Sequence, residues 1–247
     1  LLHHQMKPPT LLIDADFFIY RASSAAEEEH EYNEDLTVIV GDFRKGKRRV
    51  ESEIKDLCTR FESDDVVLFF TDRENFRKDV DPSYKGNRTK RKPAGYLKLK
   101  NWAMSNWPSR LLPRLEADDA LGIAATSGEF ENFVLISPDK DMQQIPCRIY
   151  NLKDEFTQTP ALAERKLYEQ TLTGDSTDGY AGCPGIGPKR AGVLLDACKG
   201  DYWEAVVKAF KDADLTEEDA VRNFNLARIL QVDNWDHENQ LPILKCS

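Results

Sequence analysis

The chain has no apolar run approaching the roughly 18 residues of a membrane span, and Leu1 to Thr10 lacks the apolar core of a secretory signal. Leu1-Leu2-His3-His4-Gln5 ahead of Met6 reads as an added tag, with Met6 as the natural start and residues 1–9 as a disordered leader. Two of the four histidines fall in that tag and carry no functional weight. The five cysteines (Cys58, Cys147, Cys183, Cys198, Cys246) are odd in number and contain no C-x-x-C pair. That disfavours a disulfide framework or a zinc site and points to reduced thiols in a cytoplasm. A Gly-rich loop after the first apolar run is missing, since Asp14-Ala15-Asp16-Phe17 stands there, which argues against a nucleotide-binding α/β protein. No internal repeat and no low-complexity segment interrupts the 247 residues, enough for one large domain or a domain with a smaller appendage.

A positive net charge is also missing. The formal charge is −9, which at first argues against a nucleic-acid partner. Its distribution argues otherwise. Between Arg73 and Lys100 there are ten Lys/Arg against three acids, and Arg44-Lys45-Gly46-Lys47-Arg48-Arg49 is a second basic run. Either island alone has an ordinary reading as a solvated helix face; together they allow a protein that holds nucleic acid with its bases and metal with its acids.

The order of the chain reads as α/β. Thr10 to Asp16, Val66 to Asp72 and Asn132 to Ser137 are short apolar runs of the buried-strand kind, Arg148 to Leu152 resembles a fourth, and Thr37 to Val40 is a short one. Helices are predicted over Phe17–Ala26, from an Asp42 cap to Phe61, over Pro93–Trp107, from Arg114 through Ile123, and over Leu162–Thr173. Glu27 to Asp35 is read as loop or exposed helix, and Asp81 to Arg88 as irregular. Helical stretches follow at Gly187–Cys198, Asp201–Lys211 and Thr216–Leu230, the last opened by a capping-box pattern. Strands alternating with helices predict a mostly parallel sheet.

Carboxylates gather where such sheets build their sites. Asp14, Asp72 and the pair Asp139/Asp141 follow strands; Glu116, Asp118 and Asp119 open a helix; Asp175 and Asp178 sit three apart, on one face if a helix begins there. Each group alone has a plainer reading as cap, turn or helix decoration, and Asp16, Asp119 and Asp154 keep much of that reading. Together the acids cannot stand ionised and empty, because two carboxylates about 4 Å apart repel by about 4 kcal/mol at an effective dielectric near 20. An all-oxygen set favours Mg²⁺ or Mn²⁺, and two such ions suit phosphodiester hydrolysis.

Next to the last acids lies Gly182-Cys183-Pro184-Gly185-Ile186-Gly187-Pro188-Lys189-Arg190-Ala191, a turn whose glycines and amides can meet phosphate. Gly174 to Ala191 resembles the Gly-Asp-x-x-Asp-Asn-x-x-Gly-x-Pro-Gly-Ile-Gly-Pro-Lys-Thr-Ala motif of the 5′ nucleases, the flap endonucleases and 5′–3′ exonuclease domains. Gly179 stands for Asn and Arg190 for Thr, while Ala181 and Cys183 are harmless replacements. Glu116 to Asp119 matches the family's Glu-Ala-Asp-Asp, Asp139/Asp141 its Asp-x-Asp, Thr71-Asp72 its Phe-Asp, and Tyr84, Lys85 and Arg88 its Tyr-Lys-x-x-Arg. Ser24 to Glu27, Phe70 to Asp72, Val80 to Pro82, and Ala227 to Leu230 resemble the short exonucleases of podovirus-type bacteriophages in particular.

The resemblance implies a fold and a set of roles. The fold is a PIN-like nuclease domain over residues 10–172 with a basic arch at 73–112. A helical region over 173–247 would contain a helix–three-turn–helix. Asp14, Asp72, Glu116, Asp118 and Asp139 would hold a first Mg²⁺ and Asp141, Asp175 and Asp178 a second, with Asp119 in either shell and Mn²⁺ as a substitute. Lys85 and Arg88 would stabilise the scissile phosphate, supported by Arg77, and Tyr84 would stack on a base or pack under the loop. Gly185, Gly187, Lys189 and Arg190 would grip duplex backbone, with a potassium ion at the turn. Gly179 would leave the second metal's loop floppier. The implied protein is a monomeric 5′–3′ exonuclease or flap endonuclease on DNA with a free 5′ end or 5′ flap. It would also accept RNA–DNA hybrids, and it would work in phage DNA replication or recombination in a bacterial host cytoplasm. The alternatives are a non-catalytic DNA-binding protein on the same fold and a small PIN-type ribonuclease; the intact acids disfavour the first and the Gly185–Lys189 turn the second.

Overall fold

A computed structural model describes residues 7–247. The tag reading up to Met6 lies outside them, but Lys7 and Pro9 are tied down: the Asn132 side chain donates to the Lys7 carbonyl and Ser63 Oγ to that of Pro9. Lys7 and Pro9 therefore belong to the folded part of the chain.

The chain opens with β1 (Thr10–Asp14), α1 (Ala15–Ala25), β2 (Glu27–Asn33), β3 (Leu36–Gly41), α2 (Phe43–Phe61) and β4 (Val66–Phe70). A one-turn α3 (Arg77–Val80), α4 (Tyr96–Asn106), β5 (Ser109–Leu111), α5 (Ala117–Thr126) and β6 (Phe133–Ile136) follow. After a 3-10 turn (Lys140–Gln144) come β7 (Arg148–Tyr150), β8 (Glu155–Thr157), α6 (Pro160–Thr173), and the two-residue strands β9 (Gly174–Asp175) and β10 (Tyr180–Ala181). The chain finishes with α7 (Pro188–Ala197), α8 (Tyr202–Asp212), α9 (Glu217–Ala227), β11 (Trp235–Asp236) and β12 (Leu241–Pro242).

The central sheet has the order β5-β4-β1-β6-β7-β8, parallel except for the last pair. Both faces are covered, so β4 and the Leu11–Ile13 centre of β1 are apolar, and both strands are buried along their length. The period-2 pleat sorts their side chains. Leu11, Ile13, Leu68 and Phe70 pack with α1, α2 and α4; Leu12, Val67 and Phe69 pack with α5 and Ile229. Helices α6 to α9 bury a separate core around Leu172, Ile186, Leu195, Val206 and Phe210. The chain after α9 then returns to the sheet, where Leu230 packs on Phe76, Leu115 and Trp235. No helix among the described residues is long and apolar enough to cross a membrane.

Three expectations give way. Glu27 to Asn33 is a strand, paired with β3 in an exposed hairpin; its acids carry no apolar alternation, and cross-strand partners supply what its own sequence does not advertise. Asp175 and Asp178 do not share a helix face: Asp175 lies in β9 and Asp178 in the turn to β10, with Gly174 and Gly179 at positive φ. Residues 73–112 are not arch throughout, because α4 packs on the main core and β5 pairs with β4. The irregular part lies between α3 and α4.

Candidate active site

The carboxyl ends of β1 and β6, the start of α5, the β9–β10 turn and the irregular segment before α4 surround one cavity of about 490 Å³. Asp14, Glu116, Asp118, Asp139, Asp141, Asp175 and Asp178 line it, with Lys85 and Arg88.

Local structure holds each acid. Asp14 ends β1, and its Oδ2 accepts from Ser137 Oγ at 2.9 Å. Asp139 Oδ1 accepts the Asp141 amide at 2.9 Å, opening the 3-10 turn. Gln170 on α6 donates to Asp141. Asp175 Oδ1 accepts the amides of Thr177 and Asp178 at 2.8 and 3.3 Å. Asp141, Asp175 and Asp178 each offer a carboxylate oxygen within 4.8 Å of the others. Asp16, whose weight was low, also lines the cavity; it accepts the Thr71 amide at 2.6 Å and the Tyr96 hydroxyl at 3.2 Å.

Burial and, after it, mutual repulsion raise the proton affinity of several of the acids. Burial, then Asp16 and Asp139, pushes Asp14 up to about 7. Burial, then Asp139 and Asp178, pushes Asp141 up to about 7. Burial and the neighbouring Asp139 and Asp14 raise Asp118 well above the carboxylate range. Glu116 is the exception: burial alone would raise it, but Lys85 and Arg77 outweigh burial and hold it at about 2.

Lys85 reaches Glu116 directly, lies 3.9 Å from Asp178, and donates its amide to the Asp178 carbonyl at 2.7 Å. Its backbone is left-handed, with φ 54°. Arg88 Nη2 meets Asp178 Oδ1 at 2.8 Å and is half-exposed. Both cations stand where a phosphate could take their carboxylates' place.

Of the residues expected here, Arg77, Asp119 and Asp72 are taken up by protein contacts, and Tyr84 takes the second of its two expected places, under the loop. Arg77 is 1 % exposed, and its guanidinium donates to Glu116, twice to Asp119, and to the Leu226 and Arg228 carbonyls. All five of its N–H donors are taken, so it is closed to DNA. Asp119 is fully buried and, besides Arg77, accepts the amides of Glu116 and Leu230 at 3.2 and 3.1 Å. It ties α5 to the chain after α9 and lies outside the cavity. Tyr84 is 2 % exposed, donates to Glu116 at 3.2 Å and packs at 6.2 Å from the Tyr180 ring; it underlies the loop and cannot stack on a base. Asp72 accepts the Arg114 amide at 2.7 Å and does not line the cavity.

Gly179 has a local explanation. Its φ is 77°, and a Cβ there would lie 2.9 Å from Asn87 Oδ1. Asn87 donates to the Ser176 carbonyl at 2.8 Å. The β9–β10 turn is therefore braced from outside rather than left loose. Asn87, Ser137 and Gln170 are supports that spacing alone did not single out; only Ser137, two residues before Asp139, carried a local turn signal.

Gly185, Gly187, Lys189 and Arg190 form an exposed turn at the start of α7, anchored by buried Ile186, whose amide donates to Cys183 O at 3.1 Å. Gly185 is at φ 76°, Gly187 caps α7, and Pro188 is its first residue.

Residues 9–171 match the family described as 5′–3′ exonuclease, N-terminal resolvase-like domain. The chain is 30% identical to an exodeoxyribonuclease of Enterobacteria phage T3, and 30% identical to an exonuclease of Escherichia phage T7; each alignment covers 92% of this chain and 89% of the relative. The D15 protein of phage T5, solved with metal ions, superposes with a TM-score of 0.66 at 18% identity, over 89% of both chains. With most of its sheet inside the matched residues and its length shared with the phage enzymes, the chain belongs to the 5′–3′ exonuclease family.

Proposed function

We propose that this protein hydrolyses DNA phosphodiesters from 5′ ends as a divalent-metal-dependent 5′ nuclease, with exonuclease and flap substrates both in range and RNA–DNA hybrids accepted. The observation that carries the reading is the convergence of eight carboxylates with Lys85 and Arg88 in one cavity, including three donor oxygens within 4.8 Å of one another. The donors are all oxygen, which suits Mg²⁺ or Mn²⁺ better than zinc. Asp14, Glu116, Asp118 and Asp139 would hold one ion, and Asp141, Asp175 and Asp178 the other. Asp72 and Asp119 brace the loops that present them. Bound divalent ions supply positive charge that polarises the scissile phosphate and makes a bound water a better nucleophile.

The chain's own residues do the positioning. Lys85 and Arg88 exchange their carboxylate partners for phosphate oxygens, where fixed cations counter charge that grows during hydrolysis. Arg77 holds Glu116 and Asp119 in place, so the α5 terminus does not open under the acids' repulsion. The exposed Gly185–Arg190 turn offers amides and two cations to a duplex backbone, and the implied potassium ion would sit there. Residues 10–172 would act as the cutting unit and 173–247 as the duplex grip, in a monomer.

The test is digestion of 5′-labelled duplex, flap and single-stranded DNA with Mg²⁺ and then with EDTA. Short 5′ products that vanish with EDTA are expected. Absence of any Mg²⁺-dependent product, or shortening from the 3′ end, would sink the reading.

A further inference from the structure

The basic island continues past the cavity. Its later part lies on and before α4, and α4 carries no acid. Helix α4 touches the rim at two points: Tyr96 donates to Asp16 at 3.2 Å and Lys100 Nζ to the Thr71 carbonyl at 2.8 Å, both acceptors being cavity-lining residues. From there the face runs outward to the first turn of α2, which also lacks acids. Gly46 explains why the two basic runs meet. It is buried against Leu99, where a Cβ would lie 3.2 Å from a Leu99 methyl, so α2 and α4 come close enough to merge them.

The merged surface carries cations without counter-charges. Lys47 and Lys98 both sit over the Phe43 ring, 4.8 and 4.4 Å from its centroid, and Lys47 is 5.8 Å from that of Trp102. Lys92 lies over Tyr96 at 4.8 Å, nearer the cavity. The ion pairs formed by α1, α2 and the approach to α4 are those of Arg21 and Arg49 with Glu53, and of Arg91 with Glu27. Among the described residues, Arg44, Lys45, Lys47, Arg48, Lys90, Lys92 and Lys98 take part in none. Two ammonium groups brought to one ring repel each other, and a ring quadrupole offsets only part of that. A polyanion would satisfy both. The interleaved, half-buried Phe43 and Trp102 suit a strand whose bases are free to meet aromatic rings, which a duplex does not offer.

We infer that the α2–α4 face is a binding track for a single-stranded nucleic-acid segment continuing from the cavity. The inference rests on the nuclease reading for the identity of that strand, but binding can be read without cleavage. The track is separate from the Gly185–Arg190 turn and from the acids.

The test compares the wild type with the double variant Lys47→Ala/Lys98→Ala in EDTA. Anisotropy titrations use a blunt duplex, the same duplex with a short or a long 5′ single-stranded tail, and one with an equally long double-stranded extension. The variant should bind the long-tailed DNA about tenfold more weakly, with a salt slope shallower by about 1.4, at about 0.7 per lost single-strand contact. Blunt binding should be unchanged, which also shows that the variant folds, and Lys47→Arg/Lys98→Arg should restore the tail effect. Equal losses on blunt and tailed DNA would reduce the face to general electrostatics. A loss that follows the double-stranded extension would assign it to duplex, and no loss would remove the track. Mg²⁺-dependent cleavage by the wild type is scored separately: its failure overturns the nuclease reading and leaves the binding result standing.

Discussion

The basic island from Arg73 to Lys100 divides into two halves with opposite fates. Arg77 and Lys85 are drawn into the protein, where Asp119, Glu116 and Asp178 neutralise them. Lys90, Lys92 and Lys98 stay exposed and unpaired among the described residues, Lys98 sharing the Phe43 ring with Lys47. In sequence the halves look alike. The difference teaches that a local charge count measures potential partners only after burial has claimed its share. The inner half is part of how the acid cluster folds; the outer half is what remains for a polyanion.

The comparison breaks first at Arg77. Replacing it with Met should destabilise the fold by about 3–5 kcal/mol, because Asp119 keeps a buried charge with no partner. Denaturant unfolding checks this; a variant as stable as the wild type would show that the inner half is not structural. Next, Lys85→Ala should lower kcat by about a hundredfold or more with little change in substrate affinity, as for loss of a group aimed at developing charge. Equal losses in kcat and affinity would move Lys85 to the outer, binding half. Asp175→Ala should abolish most turnover while blunt-duplex binding survives, and should remove much of the thermal stabilisation by Mg²⁺, which for one site at a hundred times its Kd is about 2.7 kcal/mol. Asn87→Ala, which removes the hydrogen bond to Ser176, should cost about 1 kcal/mol in divalent affinity, read by calorimetry. The smallest effect belongs to Lys189→Ala: duplex binding weakens modestly and its salt slope falls by about 0.9. An unchanged slope would take the α7 turn out of the interface.

Much of this molecule was legible one residue at a time. The runs starting at Leu11, Val66 and Phe133 are apolar because both sheet faces are covered. Asp42 caps α2 through the Lys45 amide at 3.1 Å, a local signal read over three residues. Asp14, Asp139 and Asp141 were recognisable as acids that follow strands and Glu116 and Asp118 as acids that open a helix, whereas Asp175 and Asp178 were marked by the glycine motif around them and lie in a strand and a turn. Illegible were the partners. Strand β2 depends on β3, Asp72 on the Arg114 amide, and the Gly179 turn on Asn87, all contacts between segments that sequence does not order by distance.

The amino-acid sequence by itself determined the α/β alternation, the carboxylates at the sheet's edge, the glycine turn before α7 and the two basic runs. Those features arise from periodicity, capping and composition, which act over a few neighbouring residues. Only the tertiary structure decided which charges are spent inside and which are left outside. Arg77 and Asp119 are 42 positions apart, and Lys47 and Lys98 are 51 apart by their numbers. Burial brings the first pair together as opposite charges that cancel, and the packing of Gly46 on Leu99 brings the second together as like charges that do not.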